Sequence, residues 1–218
     1  MSPESLPMFP LELVLLPEEL LPLHIFEERY RLMIGECLDA QARRERGQEF
    51  GLVQARGQEM QAIGCSARIV NVTRRYRDGR FDILTIGSRR FEVLYTEQEE
   101  PYWRCGVDFF EDEPGADVAE EAQAGRAIEI FQALLPLLHR APDMPVHLPR
   151  PYRYLSFRMA ASLPLELDFK QQLLSMRREA ERLDQMVGLM EFLLDKLRQA
   201  EKAREKAGGN GNLPHQLS

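Results

Sequence analysis

The sequence predicts an α+β fold, in which a small, partly open β-barrel with one early helix precedes a helical lobe that ends in a long helix. Three stretches support this prediction. Leu6–Leu38 is an apolar run that prolines cut into pieces too short for a helix. Gly64–Tyr95 is dense in β-branched and aromatic residues. Arg177–Lys206 has apolar residues at heptad spacing.

Within the first stretch, the spacing of apolar residues changes from strand-like to helical. Proline fixes φ and has no N–H, so it favours strand starts, sheet edges and turns. We therefore expect short strands at Leu11–Leu16 and Leu21–Phe26, joined by a turn at residues 17–19. From Phe26 to Leu38, apolar residues recur at helical spacing, which predicts an amphipathic helix with Phe26 on its buried face.

Two long strands flank Asp78-Gly79 and form the clearest hairpin in the sequence. Asp-Gly suits a two-residue type I′ turn, because both central positions of that turn need positive φ. The resulting register pairs Val72 with Thr85 and Tyr76 with Phe81.

Other segments complete the predicted barrel. Phe50–Gln54 and Pro101–Phe110 are expected strands, and Gly57–Ala62 is an expected loop. Gly87-Ser88 interrupts the second hairpin strand and predicts a bulge or a barrel corner.

The second half of the chain has helical periodicity. Asp117-x-x-Glu120 is a capping signal for a helix that runs towards Pro136. Its expected apolar face consists of Ala124, Ala127, Ile128, Phe131, Leu134, Leu135 and Leu138. A proline-rich connector at 141–151 leads to a helix at Tyr152–Ser162 and another, capped by Asp168-x-x-Gln171, that ends near Leu174. Ser175 is the expected cap of the last helix.

The predicted domains are residues 1–113, a β-rich lobe, and 114–206, a helical lobe, with a disordered tail at 207–218.

The last helix has an a/d seam formed by Met176, Ala180, Leu183, Val187, Met190, Leu194 and Leu197. A small alanine and flexible methionines fit an irregular groove better than a regular zipper. We therefore expect the helix to pack within its own chain as far as Leu197, and the protein to be a monomer.

Composition narrows the classes of function. The chain has 218 residues, 44% hydrophobic and 29% charged, which is typical of a globular protein. A net charge of −7 disfavours general binding to phosphate backbones. Three separated cysteines without a CxxC pair predict neither a zinc site nor a disulfide framework. The N-terminal apolar run contains glutamates and follows no basic region, so we expect no signal peptide, no membrane span and a cytoplasmic location.

No motif in the sequence points to catalysis. There is no GxxxxGK[ST] loop to hold a nucleotide phosphate, and every lysine lies in the charged C-terminal helices. His24 lies in an apolar strand, where a packed histidine is more common than a catalytic base. His139 and His147 flank the connector without a third metal ligand nearby. We therefore expect no enzymatic activity, no metal and no cofactor.

Leu6–Ile34 resembles the opening of the Lon N-terminal domain, the substrate-binding domain of Lon-type ATP-dependent proteases. The matching features are Pro7-Met8-Phe9-Pro10-Leu11, Pro17, Leu21-Pro22-Leu23 and Ile25-Phe26-Glu27-x-Arg29-Tyr30. The resemblance extends over DGRFDILTIGSRRFEV, the PYW segment and Leu155–Leu194. Glu18 stands where the family usually has glycine.

The resemblance implies a PUA-like β pseudobarrel followed by helices, in a free-standing domain without the ATPase and Ser–Lys peptidase domains. It implies that the partner is an unfolded or exposed polypeptide segment, or another protein. The motif residues with an expected structural role are Pro10, Pro22, Phe26, Glu27, Arg29, Tyr30, Gly79, Gly87 and Phe91.

The candidate binding residues are Arg74, Arg75, Tyr76, Arg89, Arg90, Tyr102 and Trp103. Arg68–Arg90 holds seven arginines, whereas Glu97–Glu121 holds ten acidic residues and a single arginine. Solvated faces are the favoured interpretation of both charge runs. Because PUA-like domains include RNA binders, an RNA-binding module that uses the arginine-rich hairpin is the alternative function. The acidic net charge and the lack of an aromatic platform beyond Tyr76 and Phe81 disfavour it.

Overall fold

The computed structural model describes residues 3–57, 59–98, 101–138, 148 and 150–209, with backbone alone for 98 and 205–209. The strands are β1 (Glu4–Leu11), β2 (Leu20–Ile25), β3 (Glu49–Arg56), β4 (Glu59–Met60), β5 (Ile63–Arg75), β6 (Phe81–Gln98) and β7 (Arg104–Phe110). The α-helices are α1 (Glu28–Arg43), α2 (Glu121–Leu134), α3 (Leu155–Ala161), α4 (Leu167–Ser175) and α5 (Glu179–Gly209), and a 3-10 helix, Leu135–Leu138, follows α2. The predicted α+β class is confirmed.

The chain divides into two compact units. The first comprises Met1–Asp117 and Phe157–Arg178, and the second comprises Val118–Ser156 and Glu179–Ser218. The first unit thus contains α4, which the sequence analysis placed with the helical lobe. The domain boundary at 113/114 stays a prediction. Of the tail predicted to be disordered at 207–218, residues 207–209 belong to α5, and 210–218 lie outside the described residues.

In the first unit, the strands form a closed cycle. The order β1–β7–β6–β5–β3 returns to β1, because β1 pairs antiparallel with β7 and parallel with β3. β2 pairs with the first part of the long β6, and β4 pairs with the end of β3. A cluster formed by Leu6, Met8, Val53, Phe91, Cys105 and Val107 fills the interior.

β1 corrects the prediction for the first strand. The structure has a strand at Glu4–Leu11, whereas most of the predicted strand Leu11–Leu16 is irregular. Pro7 and Pro10 are tolerated inside β1 because the strand changes partner at its middle. Residues up to Pro7 register with β7, and those from Met8 onward register with β3. The second predicted strand is confirmed as β2.

The long hairpin is confirmed, but its predicted turn and register are wrong. Only Gly79 has a positive φ, of +86°, and the Gly79 N–H donates to the Tyr76 carbonyl at 3.1 Å. The loop is therefore a type I turn followed by a glycine bulge, one residue longer than a type I′ turn. The extra residue and further bulges shift the pairing, so that Val72 registers with Ile83 and Thr85 with Ile69.

Gly87 lies in one of these register shifts, as predicted. β5 and β6 change register between Cys65 and Ala67, opposite the segment that contains Gly87. A Cβ at Gly87 would lie 2.0 Å from the Leu16 carbonyl oxygen, and the Gly87 N–H donates to the Glu19 carbonyl at 2.9 Å. The residue has to be glycine because the irregular segment before β2 passes directly over it.

α1 confirms the predicted helix, and its buried face consists of Tyr30, Met33, Ile34 and Cys37. The prediction that Phe26 lies on the buried face of this helix is wrong, since Phe26 precedes the helix and is 60% exposed. Its ring stacks on that of His24 at 6.0 Å instead of packing in the core. His24 is itself exposed, so its predicted burial is wrong too.

Three predicted helix caps are wrong. α2 begins at Glu121 with Glu120 as its N-cap, and α4 begins at Leu167 with Glu166 as its N-cap. Neither glutamate side chain makes a cap hydrogen bond. Ser175 ends α4 and donates to the Gln172 carbonyl at 2.7 Å.

In the second unit, α5 packs against α2, as expected from its seam. The Gln123 side chain donates to the Ala180 carbonyl at 2.9 Å and to Asp184 Oδ1 at 2.8 Å. The fully buried residues of α5 are Glu179, Arg182, Leu183, Met186 and Met190. The two charged residues pair at 2.6 Å, and Ser156 donates to Glu179 from its main-chain N–H and its hydroxyl.

Candidate functional site

A groove with a volume of about 720 Å³ opens on the first unit. It is lined by Pro10, Leu11, Glu12, Arg29, Tyr30, Ala55, Gly57, Met60 and Trp103. Four of these residues, Pro10, Arg29, Tyr30 and Trp103, are among those singled out in the sequence. The groove therefore brings together motif residues and one predicted binding residue.

The strands β1 and β3 form the floor at one end of the groove. Their parallel register places Pro10 beside Val53 and Leu11 beside Gln54. The chain then turns at Gly57, whose φ of +65° belongs to the left-handed region. After this turn β4 pairs back on β3, which sets Met60 opposite Ala55.

Aromatic side chains form the opposite wall. The ring of Tyr30 is buried against Phe9, with 4.0 Å between the ring centroids. Trp103 is half-buried against the barrel interior, and its carbonyl accepts a hydrogen bond from the Met8 N–H at 2.8 Å. Because both rings are held by the fold, the groove offers a preformed surface that combines aromatic and polar groups.

Arg29 is positioned by its neighbours at the edge of the groove. Its guanidinium lies 4.6 Å from the centroid of the Tyr30 ring and 2.8 Å from Glu27 Oε2. Burial raises the pKa of the Tyr30 hydroxyl above its usual value, and the Arg29 charge acts in the opposite direction. The tyrosine is therefore neutral at physiological pH.

A second groove of about 710 Å³ shares Arg29 with the first. Its other lining residues are Glu27, Glu28, Leu32 and Pro101. Leu32 is 47% exposed, so its side chain is open to a ligand on this surface. The two grooves thus form a single lined surface, which we call the α1 surface, along the start of α1.

A buried amide lies next to the α1 surface. Gln54 is 2% exposed, and neither its Oε1 nor its Nε2 has a hydrogen-bond partner among the described residues. Its register partner is Leu11, which lines the first groove, and residues paired across adjacent strands project from the same sheet face. A buried amide without partners costs free energy, and Gln54 is not among the residues that line either groove, so it belongs to the interior and not to the site.

The predicted binding residues of the hairpin tip are paired with one another. The Arg74 and Arg80 guanidinium groups lie 4.6 and 4.9 Å from the centroid of the Tyr76 ring. The Tyr76 hydroxyl donates to Asp82 Oδ2 at 2.7 Å, and His24 Nδ1 lies 2.5 Å from Asp82 Oδ1. These contacts lower the pKa of Asp82, chiefly through the hydrogen bond from His24. Arg75 lies beside Phe81, with 5.2 Å between the guanidinium carbon and the ring centroid.

Arg89 and Arg90 are close in sequence but differ in exposure. The Arg89 guanidinium lies 3.6 Å from the centroid of the Phe109 ring and 3.3 Å from Glu49 Oε2. Arg90 is only 3% exposed, and its guanidinium contacts Asp112 at 2.5 Å. In this conformation Arg90 lies in the interior and does not reach a surface ligand.

The remaining predicted residues lie away from the groove floor. The Tyr102 hydroxyl donates to Glu36 at 2.5 Å, and burial with this carboxylate raises its pKa to about 12. Pro22 is exposed on β2, whereas Phe91 is fully buried in the barrel interior. A Cβ at Gly79 would lie 3.0 Å from an Arg31 guanidinium nitrogen, so α1 closely approaches the hairpin tip.

Several groove residues were absent from the sequence candidates. They are Leu11, Glu12, Ala55, Gly57 and Met60. Gly57 was the available signal, because a glycine can mark the turn between two paired strands. The sequence analysis assigned Gly57–Ala62 to a loop, whereas β3 and β4 pair on either side of this turn. The partners of Gln54 could not be judged from the sequence, because an unpaired amide is a property of the folded surroundings.

No group of three or more histidine, cysteine, aspartate or glutamate side chains among the described residues could hold a metal ion. None of the helices in the described part of the chain is both long and apolar enough to cross a bilayer.

Comparison with known proteins identifies the family. Residues 5–191 match the sequence model of the ATP-dependent protease La (LON) substrate-binding domain. A Lon N-terminal domain protein from Xanthomonas campestris has a similar structure, with a TM-score of 0.65 and 24% identity over 85% of this chain and 98% of that chain. The N-terminal domain of the Mycobacterium avium complex Lon protease has a TM-score of 0.57 and 16% identity over 86% and 98% of the two chains. These matches give no support to the RNA-binding alternative. The chain belongs to the Lon substrate-binding domain family.

Proposed function

We propose that this chain is a non-catalytic module that binds unfolded or exposed polypeptide segments through the α1 surface. The observation that carries the proposal is the first groove, where Trp103, Tyr30 and Met60 line about 720 Å³ of space. Aromatic and methionine side chains bind varied apolar side chains, since they offer a large area and adapt to shape. The family is named for substrate binding, which supports the same function.

Trp103 provides a direct test, because it is the only tryptophan in the chain. Titration with a reduced, carbamidomethylated protein that contains no tryptophan should change the fluorescence of Trp103 saturably. The same protein in its folded, disulfide-bonded form should leave the fluorescence unchanged. An absence of binding to the unfolded form would contradict the proposed function.

A groove variant locates the site. Ala55 is half-buried in the groove, so Ala55→Gln fills space without removing a core side chain. We expect this substitution to weaken binding by about tenfold, the effect of about 1.4 kcal/mol. Ala203→Gln, on an exposed part of α5, is the matched control and should bind normally. Equal affinity of the two variants would show that the ligand binds elsewhere.

A further inference from the structure

We infer that the α1 surface selects polypeptide segments that combine apolar side chains with lysine or arginine. This inference rests on the proposed function and names the class of substrate. The charge balance of the surface supports it, together with the apolar residues beside its carboxylates.

The charge balance of the α1 surface is acidic. Its charged residues are Glu12, Glu27, Glu28 and Arg29. Arg29 is paired with Glu27 at 2.8 Å, so this arginine is already neutralised. Glu12 and Glu28 are exposed and have no ion-pair partner among the described residues. A ligand on this surface therefore meets two uncompensated carboxylates.

The positions of these carboxylates match a segment with mixed side chains. Glu12 lies in the first groove with Trp103 and Met60, and Glu28 lies in the second with Leu32 and Pro101. Apolar ligand side chains can bury area on these neighbours, while cationic side chains pair with the carboxylates. Opposite charges at an exposed contact add modestly to affinity, but like charges exclude a competitor.

The test uses three labelled peptides of equal length and equal apolar content, with lysine, serine or glutamate at the same positions. Fluorescence anisotropy at low and high salt should show binding in the order lysine, serine, glutamate. With one or two exposed pairs involved, the lysine peptide should bind about fivefold to tenfold more tightly than the serine peptide. The difference should shrink at high salt, because exposed charges are screened.

Charge-removing variants assign the preference to these carboxylates. Glu12→Gln combined with Glu28→Gln should abolish the lysine preference, so that the lysine and serine peptides bind with equal affinity. Glu201→Gln, at an exposed position of α5, removes one charge elsewhere and should keep the preference. Equal binding of all three peptides, or a preference that survives the double substitution, would overturn the inference. If none of the peptides binds, the proposed function itself fails.

Discussion

Arg90 and Asp112 form an ion pair inside the first unit, with 2.5 Å between Nη2 and Oδ1 and side chains that are 2% and 0% exposed. The same guanidinium donates to the main-chain carbonyls of Leu174, at 3.2 Å, and Met176. It also lies 4.8 Å from the centroid of the Phe110 ring. One arginine of β6 thus holds the end of β7 and the end of α4 together.

This arrangement predicts a large effect of removing the carboxylate. Asp112→Ala leaves a buried guanidinium without its counter-ion, which should lower the free energy of unfolding by about 3–5 kcal/mol. The neighbouring Glu113 also pairs with an arginine, Arg178, at 2.6 Å, but that pair is 51% and 50% exposed. Glu113→Ala should therefore cost less than about 1 kcal/mol. Urea unfolding of both variants measures the contrast, and similar losses would contradict it.

The same pair shows what sequence could and could not predict. The alternation in β6 predicted a strand, and its arginines predicted a charged surface. Whether Arg90 points inward depends on Asp112 and on carbonyls more than 80 residues later in the chain. Likewise, Glu179 and Arg182 belong to a helix rich in charges of both signs, but both are fully buried, and both hydrogen-bond with the Ser156 hydroxyl. Sequence periodicity identifies faces, whereas ion-pair partners come from tertiary structure.

The candidate site was predictable in part for a similar reason. Trp103, Arg29 and Tyr30 were distinctive residues of the sequence and do line the groove. The β4 side of the groove was missed, because a two-residue strand has no periodicity to detect. The register of the hairpin was missed because bulges shift pairing without a unique sequence signal.

The three cysteines should be unreactive in the folded protein. Burial raises the pKa of the Cys37 and Cys65 thiols to about 12 and also raises that of Cys105. A thiol-specific disulfide reagent at mildly alkaline pH should therefore label none of them until denaturant is added. Rapid stoichiometric labelling of the native protein would contradict this prediction.

The raised pKa values of these thiols also predict that the folded protein becomes less stable at alkaline pH. In the unfolded chain they ionise near their ordinary pKa of 9.0, whereas Cys37 and Cys65 in the folded protein keep their protons to about 12. The folded state thus binds more protons in this window, so the free energy of unfolding should fall as pH rises from about 9 to 12. Below about pH 9, the thiols are protonated in both states, and their contribution to the free energy of unfolding is fully present. Cys65→Ala should make the decline shallower in pH-dependent urea unfolding, and an unchanged slope would exclude this thiol as a cause.

Glu18 occupies a position at which the family usually has glycine, and the structure explains that preference. Its φ is 63°, in the left-handed region that side chains disfavour. Its carboxylate pairs with Arg158 Nε at 2.5 Å, which offsets part of this cost. Glu18→Ala should lose the pair and keep the strain, whereas Glu18→Gly should lose both. We expect the glycine variant to be more stable than the alanine variant by about 1–2 kcal/mol in thermal or urea unfolding. Equal stability would show that the strain is relieved by a local rearrangement.

Substitutions at Leu183 and Ala180 distinguish two roles for α5, which are packing within its own chain and a zipper between two chains. Both residues belong to the heptad seam of the sequence, but Leu183 is fully buried whereas Ala180 is exposed at the start of α5. Leu183→Asp should lower the free energy of unfolding by several kcal/mol, because it buries a charge without a partner.

Ala180→Asp should be tolerated, since an acidic side chain in the first turn of a helix interacts favourably with its dipole. A two-stranded coiled coil would instead be sensitive at both positions, because each would face the partner helix. Urea unfolding and light scattering of both variants distinguish the cases. A dimer that each substitution converts to a folded monomer of undiminished stability would show that the seam joins two chains rather than α5 and α2.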